Sequence, residues 1–489
     1  MSARSRRFES TGSPGAESAL HRRDVLRMAV GAGAAGLVAP LLTGCEPGRT
    51  VAPLGPGPAL RAQSFLGGAE AVVGQGGWCW FQSPRASFGP NGMLWLGSTV
   101  SSTGTTLDGS VQATAFDANT MAVRLRRNLG KTRQDDHTSP SVLALGDRVQ
   151  FAWTLHQRVD YLEWGEMSLG GILVIKRLRR PEALVAPGRG MAYASAHVVD
   201  GQRWLLYRGE QFSWNLLTSP DGTTWTARGL VVAPATAGDR PYLHAVSDGT
   251  RLHIVVSDGN PTEFRGTSVS AGTVGTDLKV RDRGGRIVGT VGSAAPPPRR
   301  LTRLVTGTVG ADETLDVDHW LSDLQFIDGN PTATLTSREP WPAGSQAVGR
   351  YRHRFWWARR RATGWVVEPM GWAGGELFSR QPDYCGLAAQ DPSDARRVVA
   401  STNVHPSTGA PLVSAADGKV HWELFEGYRV AEGTWSWTPL TADSVEDNLR
   451  PVIAAGGDHK ALAWMRGKYW SWTDFDTRIV VRRAATPTA

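Results

Sequence analysis

The stretch Asp200-Gly201-Gln202-Arg203-Trp204-Leu205-Leu206-Tyr207 joins a tight-turn dipeptide to a run of large apolar residues. Asp and Gly accept the positive φ that a two-residue hairpin turn demands, and Trp, Leu and Tyr suit a buried strand. The arrangement recurs. Turn residues at Asn91-Gly92, Gly146-Asp147, Asp248-Gly249, Asp328-Gly329, Asp394 and Gly456-Gly457 are each followed at once by a short apolar run. Including Asp200, the seven copies stand 48 to 80 residues apart, and sustained helical periodicity is absent between them. One strand-turn-strand unit per copy at that period predicts an all-β fold, a seven-bladed β-propeller of four-stranded antiparallel blades. A β-sandwich is the competing architecture. The 20 tryptophans spread along the chain favour blades, whose sheets leave wedge-shaped gaps that large rings fill.

Ser219-Pro220-Asp221-Gly222-Thr223-Thr224-Trp225 is one residue shorter than the Asp-box turn of sialidase-type propellers. Asp221 is expected to cap a tight turn, Gly222 to take a positive φ, and Trp225 to pack beneath the blade. This is a folding device and carries no chemistry.

The first 45 residues carry an address. Arg22 and Arg23 precede an uncharged run from Met28 to Leu42, and Leu42-Thr43-Gly44-Cys45 closes it. The run is shorter than the roughly 20 residues of a membrane span. Residues 1–44 therefore read as a twin-arginine lipoprotein signal, with Cys45 the lipidated first residue of the exported protein at the outer face of a bacterial membrane. The Pro- and Gly-rich residues 45–64 read as a tether, and 65–489 as the propeller. The widest gap between turns contains Ala294-Ala295-Pro296-Pro297-Pro298-Arg299-Arg300, so an insertion is expected around 265–300.

The formal net charge of +8 comes without a Lys/Arg-rich run, which suits an acidic polysaccharide better than nucleic acid. A monomer is expected, with membrane contact through the lipid alone. Cys79 and Cys385 remain after lipidation, compatible with one disulfide or two separate thiols, and no CxxC spacing marks a metal site. The Gly31-Ala32-Gly33-Ala34-Ala35-Gly36 run has dinucleotide-motif spacing but lies inside the signal and follows no strand.

Propeller sites collect residues from several blades at one mouth. Asp135-Asp136-His137 leads into the second repeat and His156 follows its strand. Tyr193 precedes the third repeat, Arg208 ends its strand, and Trp214-Asn215 comes next. Two histidines, a tyrosine and an arginine match the needs of β-elimination from a uronic acid. A cation neutralises the carboxylate, one group takes the C5 proton, and another protonates the leaving oxygen. The same residues are also compatible with structural hydrogen bonding.

Several runs resemble the bacterial neuraminidase-repeat proteins that include the ulvan lyases. They are Gly77-Trp78-Cys79-Trp80-Phe81-Gln82-Ser83-Pro84-Arg85, Asp135-Asp136-His137 with a second histidine about twenty residues on, Arg240-Pro241-Tyr242, Asp258-Gly259-Asn260-Pro261 and Trp464-Met465-Arg466-Gly467-Lys468-Tyr469. They keep their order over about residues 77–476. The resemblance implies a propeller lyase in which His137 and His156 are the histidine pair, Tyr193 the catalytic tyrosine and Arg208 the carboxylate-neutralising arginine. Trp80, Arg85, Trp214, Asn215, Arg240 and Tyr242 are then expected to bind substrate. The chain departs from the family at Asn260, where His is frequent, and at Thr138, where Asn is common. The resemblance implies no cofactor or metal for the chemistry; it admits a structural zinc, whose ligands the spacing does not place.

Three readings follow. The first is a lyase acting on a uronate-containing glycan. The second is a glycoside hydrolase, which needs two carboxyl groups. Asp135 and Asp136 are available, but on an extended segment neighbours point in opposite directions. The third is a non-catalytic glycan-binding propeller, with Trp80, Trp153 and Trp214 stacking on sugars.

Overall fold

The computed structural model describes Pro53 and residues 55–101, 105–146, 148–156, 159–168, 173–179, 190–312, 315–341 and 348–485. The arginine pair, the apolar run and Cys45 lie outside the described residues.

Seven antiparallel sheets form a β-propeller. Each of the seven turns read from the sequence joins the innermost strand of one blade to its second strand. Local chemistry explains why. At Asp200-Gly201 both residues are left-handed, φ 49° and 68°, and Val199 pairs directly with Gln202 across them. Asp328-Gly329, at φ 50° and 72°, does the same between Ile327 and Asn330. Such turns match the natural twist of the strands they connect.

The inner strands, in ring order, are Ala86–Phe88, Ser141–Leu145, Ala192–Val199, Leu243–Ser247, Asp318–Ile327, Ala388–Gln390 and Asp447–Gly456. Each touches the next, and the last touches the first. The ring is fastened by the chain start: Glu70–Gln75 adds to the outer edge of the last blade by pairing with Asp474–Arg483. Trp95, Trp153, Trp164, Trp204, Trp320, Trp357 and Trp464 are buried. Some also satisfy their indole N–H there, Trp357 on Ala395 O and Trp464 on Asn448 Oδ1. At the Asp221 turn, the carboxylate accepts from Thr223 N and Thr224 N, Gly222 has φ 75°, and Trp225 packs edge-on against Trp164.

Two boundaries need correction. Six blades have four strands, but the fourth has six. Within the span expected to be an insertion, Val269–Gly275 is the third strand of that blade, because Val269, Ala271 and Val274 are buried. Its outer edge is shared by Lys279–Arg281 at one end and Thr302–Val305 at the other, so only the segment between these two stands outside the four-stranded plan. The Pro-rich stretch turns back onto the body, with Leu301 buried and Pro296 O accepting from Ala233 N.

The tether is likewise shorter than 45–64. Pro58–Ala62 forms a 3-10 turn with Leu60 buried, and Ser64 bridges to Ala485. What holds it is Lys460, a wholly buried ammonium that donates to Leu60 O and Gln63 O, both at 2.8 Å, and to Asp391 Oδ2 at 2.7 Å. Lys460→Met leaves Asp391 without its closest cation and frees the strap. A loss of about 3 kcal/mol is expected in urea unfolding, since breaking a buried pair from one side strands the other charge. A loss under about 1 kcal/mol would mean that the strap is not anchored there.

Both remaining cysteines are free and buried, with the Cys385 thiol pushed up to about 12 by burial.

Candidate active site

The site lies where the inner strands begin. Asp135 stands in extended conformation as the cap of a 3-10 turn, Asp136–Thr138, and its carboxylate accepts from His137 N at 3.1 Å. The turn curls both acids onto one ring: His137 Nδ1 lies 2.8 Å from Asp135 Oδ1 and 2.9 Å from Asp136 Oδ1. This corrects the expectation that the two carboxylates diverge, which holds for a strand and not for a 3-10 turn. Asp136 also accepts from Tyr469 OH at 2.8 Å.

His156 follows the second strand of its blade, Arg148–Trp153. Its ring lies flat on that of His137, with centroids 3.8 Å apart and planes 7° apart, and its Nδ1 reaches Asp135 Oδ2 at 3.3 Å. One aspartate thus joins both imidazoles.

The pair is electrostatically split. Burial opposes a charge on His137, but the fields of Cys79, Asp136 and Asp135 outweigh it and raise its pKa well above the ordinary range. Burial and the neighbouring His137 push His156 down to about 4. Asp135 is held far below its usual range despite its burial, by the two histidines, whereas burial raises Asp136. At neutral pH the stack therefore holds one imidazolium and one neutral imidazole. Divergent pKa values in adjacent groups are the mark of an acid–base site.

Tyr193 enters from the next blade at φ 56°, in a register break between Ala192 and Ser195. A left-handed non-glycine residue costs on the order of 1 kcal/mol or more and is concentrated at functional sites. The bulge takes Tyr193 out of the ladder and sets its ring 5.2 Å from His137 and 6.0 Å from His156. Its hydroxyl donates to Tyr242 OH at 3.4 Å. Burial, reinforced by Tyr242, raises the phenol well above its ordinary pKa even with Arg208 beside it.

Arg208 closes the group from the end of Gln202–Arg208. Its guanidinium lies 4.4 Å above the Tyr193 ring, 4.9 Å from Tyr242 and 5.3 Å from Phe212. Only 2 % of the residue is exposed, no carboxylate pairs with it among the described residues, and Nη1 has no partner. A buried, unpaired guanidinium is costly and seeks an anion.

The residues expected to bind substrate divide. Tyr242 lies beneath Arg208, and Arg240 sits at the rim, paired with Glu263 at 2.7 Å and stacked on Phe212. Trp214 packs near Tyr193 and donates to Pro241 O, while the Asn215 side chain donates to Ser213 O; both are buried. Trp80 is core: it is wholly buried between Tyr469 and Tyr384 and donates to Cys385 O. Trp80, Trp153 and Trp214 thus have no ring face open to a sugar, which corrects the stacking role given to them. Arg85 is buried too and donates to Gln82 O and Ser139 O, and its pKa is lowered to about 9 by burial. It lines an axial cavity of about 490 Å³ whose wall also includes Val198, Ser247 and Phe326, near the far ends of the inner strands.

Several residues around the mouth escaped the sequence reading. Trp472 stands edge-on to His137 at 6.4 Å and Phe378 packs on Trp472 at 6.0 Å. Asp383 is buried beside Asp318 and Arg338, with Oδ1 3.2 Å from Arg338 Nε, and accepts from Thr262 Oγ1 at 2.9 Å. Burial raises Asp383 to about 7. Because the folded chain holds this proton and the unfolded one releases it above pH 4, stability falls as pH rises from about 4 to 7. Asp383→Asn is expected to flatten that slope in urea unfolding series; an unchanged slope would refute the assignment.

Two groups of potential metal ligands share His137, one with Asp135 and His156, the other with Cys79 and Asp136. Neither suits a tetrahedral zinc. The parallel His137 and His156 rings point their in-plane lone pairs side by side, not at one point. In the second group, His137 Nδ1 is already shared by two carboxylates and Asp136 is bonded to Tyr469.

No protein-family model and no curated protein sequence matches the chain. Among solved structures, it is similar to the polysaccharide lyase Uly1 at 9% identity and a TM-score of 0.48, covering 89% of this chain and 97% of that one. It is also similar to the GH93 α-L-arabinofuranosidase of Fusarium graminearum at 10% identity and 0.38, over 69% and 89% of the two chains. A third similar structure is the β-propeller domain of the Trilobed protease from Pyrococcus furiosus, at 10% identity and 0.31, over 66% and 77%. At this distance none of them carries an activity over to this chain.

Proposed function

We propose that the protein is a polysaccharide lyase that cleaves a uronic-acid-containing acidic glycan by β-elimination, held at the outer face of a bacterial membrane by a lipid on Cys45. The observation that carries this reading is Arg208, a buried guanidinium with no carboxylate partner among the described residues, set against a tyrosine and a histidine pair of opposite protonation.

In this mechanism Arg208 receives the substrate carboxylate, which acidifies the C5 proton and stabilises the enolate that forms. His156, its Nδ1–H held by Asp135, takes that proton on Nε2. The C5–H electron pair becomes the C4–C5 double bond, the C4–O4 bond breaks, and O4 leaves with the proton of Tyr193. The charged His137 keeps its stacked neighbour neutral, so the base is free at neutral pH. A hydrolytic pair is disfavoured, because Asp135 and Asp136 are both buried against His137.

The test is a screen of uronate-containing polysaccharides, read by the ultraviolet absorbance of an unsaturated product. A saturated product carrying oxygen from labelled water would make the enzyme a hydrolase and remove the role given to Arg208.

A further inference from the structure

A second cleft lies on the same side of the ring. It is a groove of about 340 Å³ between the fifth blade, at Trp341, Arg352 and Trp372, and the sixth-blade connection at 404–411. The connection between these blades joins it to the mouth. His353 lines the groove and its Nε2 donates to Pro382 O at 2.8 Å, while Phe378 and Tyr384 of the same connection pack at the mouth with Trp472 and Trp80.

The groove has the makings of a sugar site. Trp341 and Trp372 supply aromatic surface, and neither is fully buried. Arg352 and Arg354 stack on Trp372 at 4.6 and 3.8 Å, and both lean on one carboxylate, Glu339, at 3.3 and 3.2 Å. Two cations facing one anion leave a positive excess. Among the described residues, Arg352 Nε and the Trp341 indole nitrogen have no acceptor. The wall opposite is Gly409 at φ 75°, where a Cβ would come to 3.3 Å of the Trp372 ring, so the backbone stays low beside it. Guanidiniums held flat on the Trp372 ring, with Trp341 beside them, suit a sugar whose anionic group takes paired hydrogen bonds.

We propose that this groove is a distal subsite for a sugar unit bearing a carboxylate or sulfate, held by Arg352 and packed against Trp341, several units along the chain being cleaved. The proposal rests on the reading of the mouth as a glycan site. It explains how a polymer is retained while one unit reacts, since a second contact on one chain raises avidity without touching the reacting centre.

The test uses the catalytically silenced Arg208→Ala protein and calorimetric binding of alginate, dextran sulfate, neutral dextran and an alginate trisaccharide. Alginate or dextran sulfate is expected to bind, which tells carboxylate from sulfate, and dextran is not. Arg352→Gln and Trp341→Ala should each weaken polymer binding about tenfold while the trisaccharide is unaffected, and Arg352→Lys should restore most of it. Absence of binding by both acidic polymers, or equal losses for polymer and trisaccharide, overturns the subsite. If Arg352-dependent binding is found but the Arg208-containing protein cleaves no uronate, the lyase reading falls and the subsite stands. If cleavage is intact and Arg352→Gln changes neither polymer binding nor KM, the subsite falls alone.

Discussion

Arg208→Ala is expected to lower kcat/KM on a uronate polymer by about 10²–10³, the effect of removing one donor that stabilises charge developing in the transition state. The structure gives the effect its direction. Arg208 is buried against the rings of Tyr193 and Tyr242. Among the described residues no carboxylate pairs with it and Nη1 has no partner, so an anion is still wanted there. On a substrate whose carboxylate is esterified the same substitution should matter far less, because no charge is left to neutralise. Steady-state kinetics on the two substrates decide it. Equal losses on both would assign Arg208 to holding Tyr193 in place and not to the substrate.

His156→Ala should be as damaging, a loss of about 10²–10⁴, because it removes the group poised to take the C5 proton. The pH profile carries the sharper signature. With its pKa pushed down to about 4 by burial and His137, the base is lost only as pH falls through that value. The acid limb of kcat/KM should therefore lie near 4, well below that of an ordinary histidine. Asp135→Asn weakens the shared carboxylate that supports both rings and should move that limb. A limb near 6.5, unmoved in Asp135→Asn, would place the proton transfer on another residue.

Much of this protein is legible in its sequence where the physics is local. Asp200-Gly201 and Asp328-Gly329 adopt positive φ because their own backbones allow it, so the reversals show in the residue types. Their recurrence is visible for the same reason, and seven turn signals each followed by an apolar strand imply seven equivalent units. His156 and Arg208 stand out because they follow or end the strand that such a reversal starts, and His137 and Tyr193 because they precede or open the strand that leads into one.

What the sequence leaves open depends on neighbours hundreds of residues away. Trp80 and Trp341 are the same residue type. Only the ring decides that Trp80 is sealed between Tyr469 and Tyr384 while Trp341 lines a groove. Residues 58–64 end the Pro- and Gly-rich run and read as tether, yet Lys460 ties them down from the last blade. Asp135 and Asp136 meet on one imidazole because a single 3-10 turn replaces an extended segment there. The sequence by itself determined the repeating turns, hence the propeller, and the residue types of the site. The tertiary structure alone decided which side chains are buried, which charges pair and which of two stacked histidines keeps its proton, because burial and Coulomb fields are set by packing across blades and not by adjacency along the chain.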